Sequence, residues 1–300
     1  MLSLINDNLL VYWLILEVSL ILFLPFILNN KFGFEVRIKY FLVQVFGSFI
    51  IIIIFICSLK YLYMFIFILF LKIGVAPFYY WRLYLVEKIE YNRFFFFLRI
   101  LKIIPLVILS VSYLKLFGTY IFVFLNCFVG SLGGLGRLCF RKLIFYSSLG
   151  HTGWVFSCIT IRDYVWAEYF FIYVIVFFFI IYIFYSNSIY NINDIKEFNI
   201  KNFFIVCLLL SFSGLPPFSI FIIKFYVIFI LLGVDSYLLC FILIISSLLR
   251  LYYYLRVSLD NYIFFNYRKL LNFDAKIGFI YWIIFLVNFF LLEVIIFFYV

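Results

Sequence analysis

Charge is scarce in this chain. Asp, Glu, Lys and Arg make up 12% of its 300 residues, against about 25% in an average soluble domain. Apolar residues reach 69%, where a soluble domain has roughly 45–50%. So few polar side chains cannot cover so much apolar surface in water, which excludes a soluble domain and makes the bilayer the solvent. Paired cysteines are missing as well. Cys57, Cys127, Cys139, Cys158, Cys207 and Cys240 fall inside or at the edges of apolar runs with no C-x-x-C spacing. That excludes a thiolate metal or iron–sulfur site and a disulfide framework. There is no Walker A motif and no H-E-x-x-H zinc motif. Gly134-Leu135-Gly136 lacks the third glycine of a dinucleotide fingerprint, and Gly130, Gly133 and Gly134 are better read as close helix packing. The first eight residues hold no Lys or Arg and no small-residue cleavage site, so they are not a signal peptide. No metal site and no redox-cofactor site is legible in the chain. The net charge of +10 does not indicate nucleic acid, because the basic residues stand singly between apolar runs rather than clustered on a wetted face.

What is present is a series of apolar runs, many long enough to cross a hydrocarbon core ~30 Å thick. They do not alternate as the strands of a membrane barrel would. The expected fold is an all-α polytopic membrane protein forming a single transmembrane domain over 1–300. About ten spans are expected: 9–28, 38–58, 61–81, 94–114, 117–136, 139–160, 165–186, 202–232, 235–257 and 277–299. The eighth is too long for one straight helix, and Ser213-Gly214-Leu215-Pro216-Pro217 interrupts it. Two adjacent prolines remove two donors and clash with the preceding turn, so one broken crossing is expected there. With the N-terminus outside, only Lys60, Lys115 and Arg162 fall in outside loops. Every other loop cation, from Lys31 through Arg82 to Lys276, falls inside, as the positive-inside rule requires. The polar stretches 187–201 and 258–276 read as loops, the second interfacial with aromatic anchors Tyr262, Phe264 and Tyr267.

The informative residues are charges at the wrong depth. Glu17, Lys72, Lys102 and Lys224 lie far from any loop. Each costs ~2.5–3.5 kcal/mol on insertion scales, and four together oppose insertion by about 12 kcal/mol. That is on the order of a whole domain's net stability, which favours function over accident. A desolvated lysine can exchange its proton near neutral pH, and a nearby carboxylate tunes that exchange, whereas arginine stays charged. Lys72 precedes Pro77 in Lys72-Ile73-Gly74-Val75-Ala76-Pro77, and Lys102 precedes Pro105. Helix breaks are therefore expected at Gly74, Pro77, Pro105, Gly214, Pro216 and Pro217, exposing backbone groups that can solvate an ion path. Gln44, Tyr146, Ser147, Ser148 and Thr152 can extend that path. His151, the single histidine, is either a relay or a satisfied packing residue. Lys142, near a span end, is either a relay or a lysine reaching the headgroups, as Lys39, Glu168 and Arg99 are read to do. Glu17 is expected to pair with Lys72, and Lys102 to link Lys72 to Lys224.

At these residues the chain resembles NADH dehydrogenase subunit 2 of mitochondrial respiratory complex I, a family of antiporter-like membrane subunits. Trp13-x-x-x-Glu17 with Phe23-Leu24-Pro25 resembles the family's glutamate helix. Ile38-Lys39-Tyr40-Phe41-Leu42-x-Gln44 resembles its next opening. Lys72-Ile73-Gly74-Val75-Ala76-Pro77-Phe78-Tyr79-Tyr80-Trp81 resembles K-L-G-x-A-P-F-H-F-W, the most specific match. Lys102-Ile103-Ile104-Pro105 resembles Q-K-x-x-P. Gly133-Gly134-Leu135 followed by Arg141-Lys142-x-x-x-Tyr146-Ser147-Ser148-x-x-His151-x-Gly153-Trp154 resembles G-G-L…L-R-K-x-x-A-Y-S-S-x-x-H-x-G-W. Ser213-Gly214-Leu215-Pro216-Pro217 with Lys224 resembles G-G-L-P-P…K-W, and Leu251-Tyr252-Tyr253-Tyr254-Leu255-Arg256 its penultimate helix. The chain departs from the family at Tyr79 (histidine), in Trp81-Arg82-Leu83-Tyr84 (W-x-P-E), and at Ile220 and Ile223 near the last lysine.

The resemblance implies an antiporter-like bundle with two discontinuous helices, shortened at its N-terminus. It implies a core membrane-arm subunit of complex I, moving protons through Glu17, Lys72, Lys102 and Lys224 as electrons pass from NADH to ubiquinone. NADH, FMN, iron–sulfur clusters and ubiquinone would sit on other subunits, and the partners would be those membrane-arm subunits and lipids such as cardiolipin, with no nucleic acid. Heavy use of Phe, with 47, and only three alanines, Ala76, Ala167 and Ala275, suggests an AT-rich organellar genome. The place would then be the mitochondrial inner membrane, with basic loops in the matrix and the N-terminus in the intermembrane space. The alternatives are a self-standing cation/proton antiporter and a structural membrane-arm subunit without its own proton path.

Overall fold

The computed structural model describes residues 2–28, 33–56, 62–111, 117–161, 164–194, 200–216 and 218–263. The expected span 277–299, the anchors Phe264 and Tyr267, and Pro217 lie outside the described residues. Those that are described are helical and connected by turns, with one isolated bridge between Cys139 and Asn191. Four helical stretches among them are long and apolar enough to cross a membrane: Glu35–Ile56, Arg93–Val111, Val165–Ser186 and Tyr237–Ser258. The chain divides into two compact units, Met1–Phe122 and Val123–Val300.

The first unit opens with α1 (Leu2–Leu28) and α2 (Gly33–Ile56), packed side by side. Next come α3 (Leu62–Ile73), α4 (Tyr80–Lys88) and α5 (Tyr91–Phe95), a π-helical turn at Phe96–Ile100, and α6 (Leu101–Val111). Helix α3 packs on α2 and α6, and α1 also touches α6. The span expected over 61–81 is thus two helices, α3 stopping at Ile73 and α4 running on to Lys88. Pro105 needs a correction, because α6 runs through it without a break. Proline has no N–H and its ring crowds the carbonyl four residues back, here Leu101. The irregularity falls just before that carbonyl, where the wider π turn absorbs the misfit.

Helix α7 (Phe117–Leu132) leads into the second unit, made of α8 (Phe140–Ile161), α9 (Val165–Ser186), α10 (Ile200–Ser213), α11 (Ser219–Gly233) and α12 (Tyr237–Ile263). Helix α9 has the expected bounds, and α12 continues six residues past its expected end. Helix α8 is the centre: nearly every residue from Leu143 to Cys158 is buried, with α9, α11 and α12 around it. That position explains why it tolerates so many hydroxyls. Ser147, Ser148, Thr152, Ser157 and Thr160 each donate to the carbonyl three residues back at 2.7–2.8 Å, so no hydroxyl needs an outside partner. Outward faces carry large apolar groups such as Phe171, Phe178, Phe225, Phe229 and Phe241, as lipid contact demands.

Helices in lipid gain little from apolar burial against one another, so close approach depends on small residues. The glycine reading holds. A Cβ on Gly130 would strike the backbone of Gly150, one on Gly133 the ring of Tyr146, and one on Gly153 would lie 2.6 Å from Cys127 Sγ. Gly233, at the end of α11, has open space instead. Gly130→Ala is therefore expected to lower stability by about 1–3 kcal/mol, because backbone cannot step aside. Gly233→Ala is expected to change it by less than ~0.5 kcal/mol. Thermal unfolding of the detergent-solubilised protein checks both.

Candidate functional site

Two helix breaks organise the buried polar groups, and their backbone pattern is the same. In the first unit Gly74 has φ +61°, its N–H donates to the Leu71 carbonyl at 3.0 Å, and the Val75 N–H donates to Phe70 at 3.3 Å. In the second unit Gly214 has φ +82°, donating to Ser211 at 3.1 Å, with Leu215 donating to Leu210 at 3.4 Å. Both are Schellman ends with glycine in the left-handed region, which side-chain-bearing residues rarely adopt. Such an end leaves the last carbonyls of the helix without helical donors.

At the first break the freed carbonyl belongs to Lys72 itself. Gln44 Nε2 of α2 donates to it at 3.4 Å and Arg82 Nη2 of α4 at 3.5 Å, while Trp81 Nε1 donates to the neighbouring Leu71 carbonyl at 3.3 Å. Helix α2 also leaves room for the lysine, since a Cβ on Gly47 would sit 3.1 Å from Lys72 Cε. Lys72 is buried, and its Nζ has no hydrogen-bond partner among the described residues. Glu17, half-buried on α1, is the opposite charge acting on it, without a direct ion pair between them. Lys102 on α6 is buried with an unpartnered Nζ among the described residues, and the guanidinium charges of Arg82 and Arg99 act on it. Ion pairs are found elsewhere, among them Glu35 with Lys39 at 2.5 Å and with Lys88 at 3.7 Å. Lys88 also donates to the Tyr84 hydroxyl at 2.6 Å. Lys39 is exposed.

At the second break two donors meet adjacent carbonyls. Lys224 Nζ of α11 donates to the Ser213 carbonyl at 2.6 Å and lies 5.7 Å from the centre of the Trp154 ring. His151 of α8 faces the Phe212 carbonyl through Nε2 at 3.2 Å and the Tyr169 hydroxyl through Nδ1 at 2.7 Å. A carbonyl only accepts, so Nε2 carries a proton. In the neutral ring Nδ1 then accepts from Tyr169, and in the charged ring it donates. Tyr146 is buried against Gly133, and Lys142 is half-buried in the first turn of α8.

Three buried arginines escaped the sequence reading. Arg82 was counted among loop cations, yet it is 1% exposed, because α4 turns it back under the first break. Arg99 is fully buried in the π turn where a headgroup-reaching side chain was expected. Arg250 of α12 is 1% exposed, its Nε donating to Ser246 at 3.2 Å while its stem fills the space left by Gly150. The available signal was an arginine deep in an apolar run, and Arg250 carried it.

The second break yields a prediction. A Cβ on Gly214 would adopt a strained φ and sit 2.5 Å from Lys224 Nζ. Gly214→Ala is expected to cost about 1–3 kcal/mol and to displace the Lys224 cap, read as a lowered melting temperature.

Comparison with known proteins places these features in a family. The family described as NADH:quinone oxidoreductase/Mrp antiporter, transmembrane, matches residues 55–250. The NADH-ubiquinone oxidoreductase chain 2 of Aedes aegypti is 34% identical over 276 residues, covering 86% of this chain and 80% of the relative. That of Anopheles gambiae is 31% identical over 277 residues, with the same coverage of 86% and 80%. Among solved structures, a chain of respiratory complex I from Thermus thermophilus matches with a TM-score of 0.77 at 18% identity, over 97% of this chain and 74% of that one. The chain therefore belongs to the NADH:quinone oxidoreductase/Mrp antiporter membrane family, among the NADH-ubiquinone oxidoreductase chain 2 proteins.

Proposed function

We propose that this chain is an antiporter-like membrane-arm subunit of respiratory complex I, taking part in proton translocation across the mitochondrial inner membrane as electrons pass from NADH to ubiquinone. The observation that carries the reading is a buried lysine beside each of two matching helix breaks, in a chain of this family. The proton route visits Glu17, Lys72 and Lys102 in the first unit and Lys224 with His151 in the second. NADH, FMN, iron–sulfur clusters and ubiquinone belong to other subunits. The chain's own part is to hold and pass protons, in contact with neighbouring membrane-arm subunits and with lipids such as cardiolipin. Its basic loops face the matrix and its N-terminus the intermembrane space.

The chemistry follows from the surroundings of each amine. Burial disfavours a charged amine, and a carboxylate nearby favours it. At Lys72 the second influence comes from Glu17, so displacing or protonating Glu17 releases the lysine's proton. At Lys224 the amine also holds a carbonyl, so its protonation is tied to the geometry of the break. His151 offers a second titrating group on the adjoining carbonyl, with Tyr169 positioned to exchange a proton with Nδ1.

Substitution in the assembled complex tests the reading. Lys72→Met is expected to bring proton pumping by this subunit's route to background while the complex still assembles. Lys72→Arg, which keeps the charge and cannot release its proton, is expected to fail equally. Pumping restored by Lys72→Arg would mean that the lysine is only an electrostatic lock.

A further inference from the structure

Arg250 of α12 is buried in the second unit and has no part in the proton route. A glycine sets its position. A Cβ on Gly150 of α8 would lie 2.8 Å from Arg250 Nη1 and 3.0 Å from Cζ, so the guanidinium rests against the bare backbone of that helix. Its Nε donates to the Ser246 carbonyl one turn back at 3.2 Å, which fixes the orientation of the group. Nη1 and Nη2 are buried without a hydrogen-bond partner among the described residues. Trp154, four residues beyond Gly150, lies on the same face of α8 one turn further on. The Lys224 ammonium of α11 stands 5.7 Å from its ring centre. One helical turn rises only ~5.4 Å. Two cations carried by two different helices therefore stand over successive turns of one face of α8. Both are buried, so solvent screens them from each other far less than it would at a surface.

We propose that Arg250 is a positioning residue for proton transfer at Lys224: a permanent positive charge, seated on α8, that leaves the Lys224 ammonium dependent on its bond to the Ser213 carbonyl. The proposal rests on the reading that Lys224 moves protons. The titratable and charged groups around Lys224 are His151 on α8, on the adjoining carbonyl, Tyr169 on α9, bonded to that histidine, and Arg250 on α12, while α10 supplies the two carbonyls. Among the described residues no carboxylate acts on Lys224, and the Arg250 charge does. Arginine does not give up its proton in a protein, so the repulsion persists whether the helix end is closed or open. What offsets it is the charge-assisted hydrogen bond to Ser213 at 2.6 Å. With that carbonyl in place, Lys224 holds its proton. When the carbonyl moves away, the repulsion is unopposed: an N–H bond breaks, the amine keeps the electron pair, and the proton passes to the next base on the route. When the carbonyl returns, Lys224 takes a proton up.

The pH dependence of pumping by membranes carrying the assembled complex tests this. Arg250→Gln keeps a donor near the Ser246 carbonyl and removes the charge. Lys224 then keeps its proton more firmly, and the alkaline limb of the profile is expected to move upward by about one pH unit. Arg250→Met removes charge and donor together and leaves no buried polar group to satisfy, so it serves where Arg250→Gln prevents assembly. The same displacement is expected there. A limb that stays in place once the charge is gone, whether pumping holds or falls, would make Arg250 a packing residue against Gly150 and overturn the proposal. Lys224→Met separates this role from the reading beneath it. Wild-type pumping in that variant removes both, while lost pumping with an unmoved Arg250→Gln limb removes only the role of Arg250.

Discussion

A carbonyl in lipid must find a donor, and the buried polar chemistry of this protein follows from that constraint. An unbroken helix satisfies itself, but a helix stopped in mid-membrane exposes its last carbonyls where no water replaces the lost bonds. Leaving a polar group bare costs roughly 2–7 kcal/mol. Each glycine break therefore needs donors from neighbouring helices: Gln44, Trp81 and Arg82 at the first, His151 and Lys224 at the second. The lysines and arginines are part of what makes broken helices tolerable. The breaks in turn supply the acceptors that make buried cations less costly than the same charges on an intact helix.

The same solvent governs the packing. With no hydrophobic gain between helices, contact is set by how closely backbones approach and how well rings fill the remaining space. Helix α8 shows both, its glycines meeting α7 and α12 while His151 lies among Tyr169, Tyr173 and Phe212 with ring centres 4.5–6.0 Å away. A histidine so enclosed has few orientations, which holds its two nitrogens on their two partners. The titrating group is thus held by aromatic packing contributed from other helices.

Most of the described helices, both glycine breaks and the burial of Lys72, Lys102 and Lys224 were legible because each is a local signal: an apolar run, a turn residue, a charge out of place. The donors were not. Gln44 meets Lys72 across 28 positions and His151 meets Phe212 across 61, separations that no periodicity encodes. Arg82 was misread because the turn after Trp81 resembled a loop. Only the three-dimensional path of α4 shows it folding back. Pro105 was misread in the other direction, since a π turn just before it lets the helix absorb a residue that ordinarily ends one. Glu17 and Lys72 share a unit, and the carboxylate's charge acts on the lysine, as their opposite signs suggested.

The two breaks look alike in backbone and differ in what their lysines do. Lys72 stands before its break and leaves the freed carbonyl to Gln44 and Arg82, so its ammonium can lose a proton without disturbing the helix end. Lys224 stands after its break and holds the freed Ser213 carbonyl directly at 2.6 Å. A neutral amine is a weaker donor than an ammonium, since charge-assisted hydrogen bonds are roughly twice as strong, so deprotonation there loosens the cap. At Lys224 the proton and the helix end share one hydrogen bond, and a movement of either is felt by the other. At Lys72 they are separate, because Gln44 and Arg82 hold the carbonyl. The first lysine answers to the charge around it and the second to the geometry of its helix end.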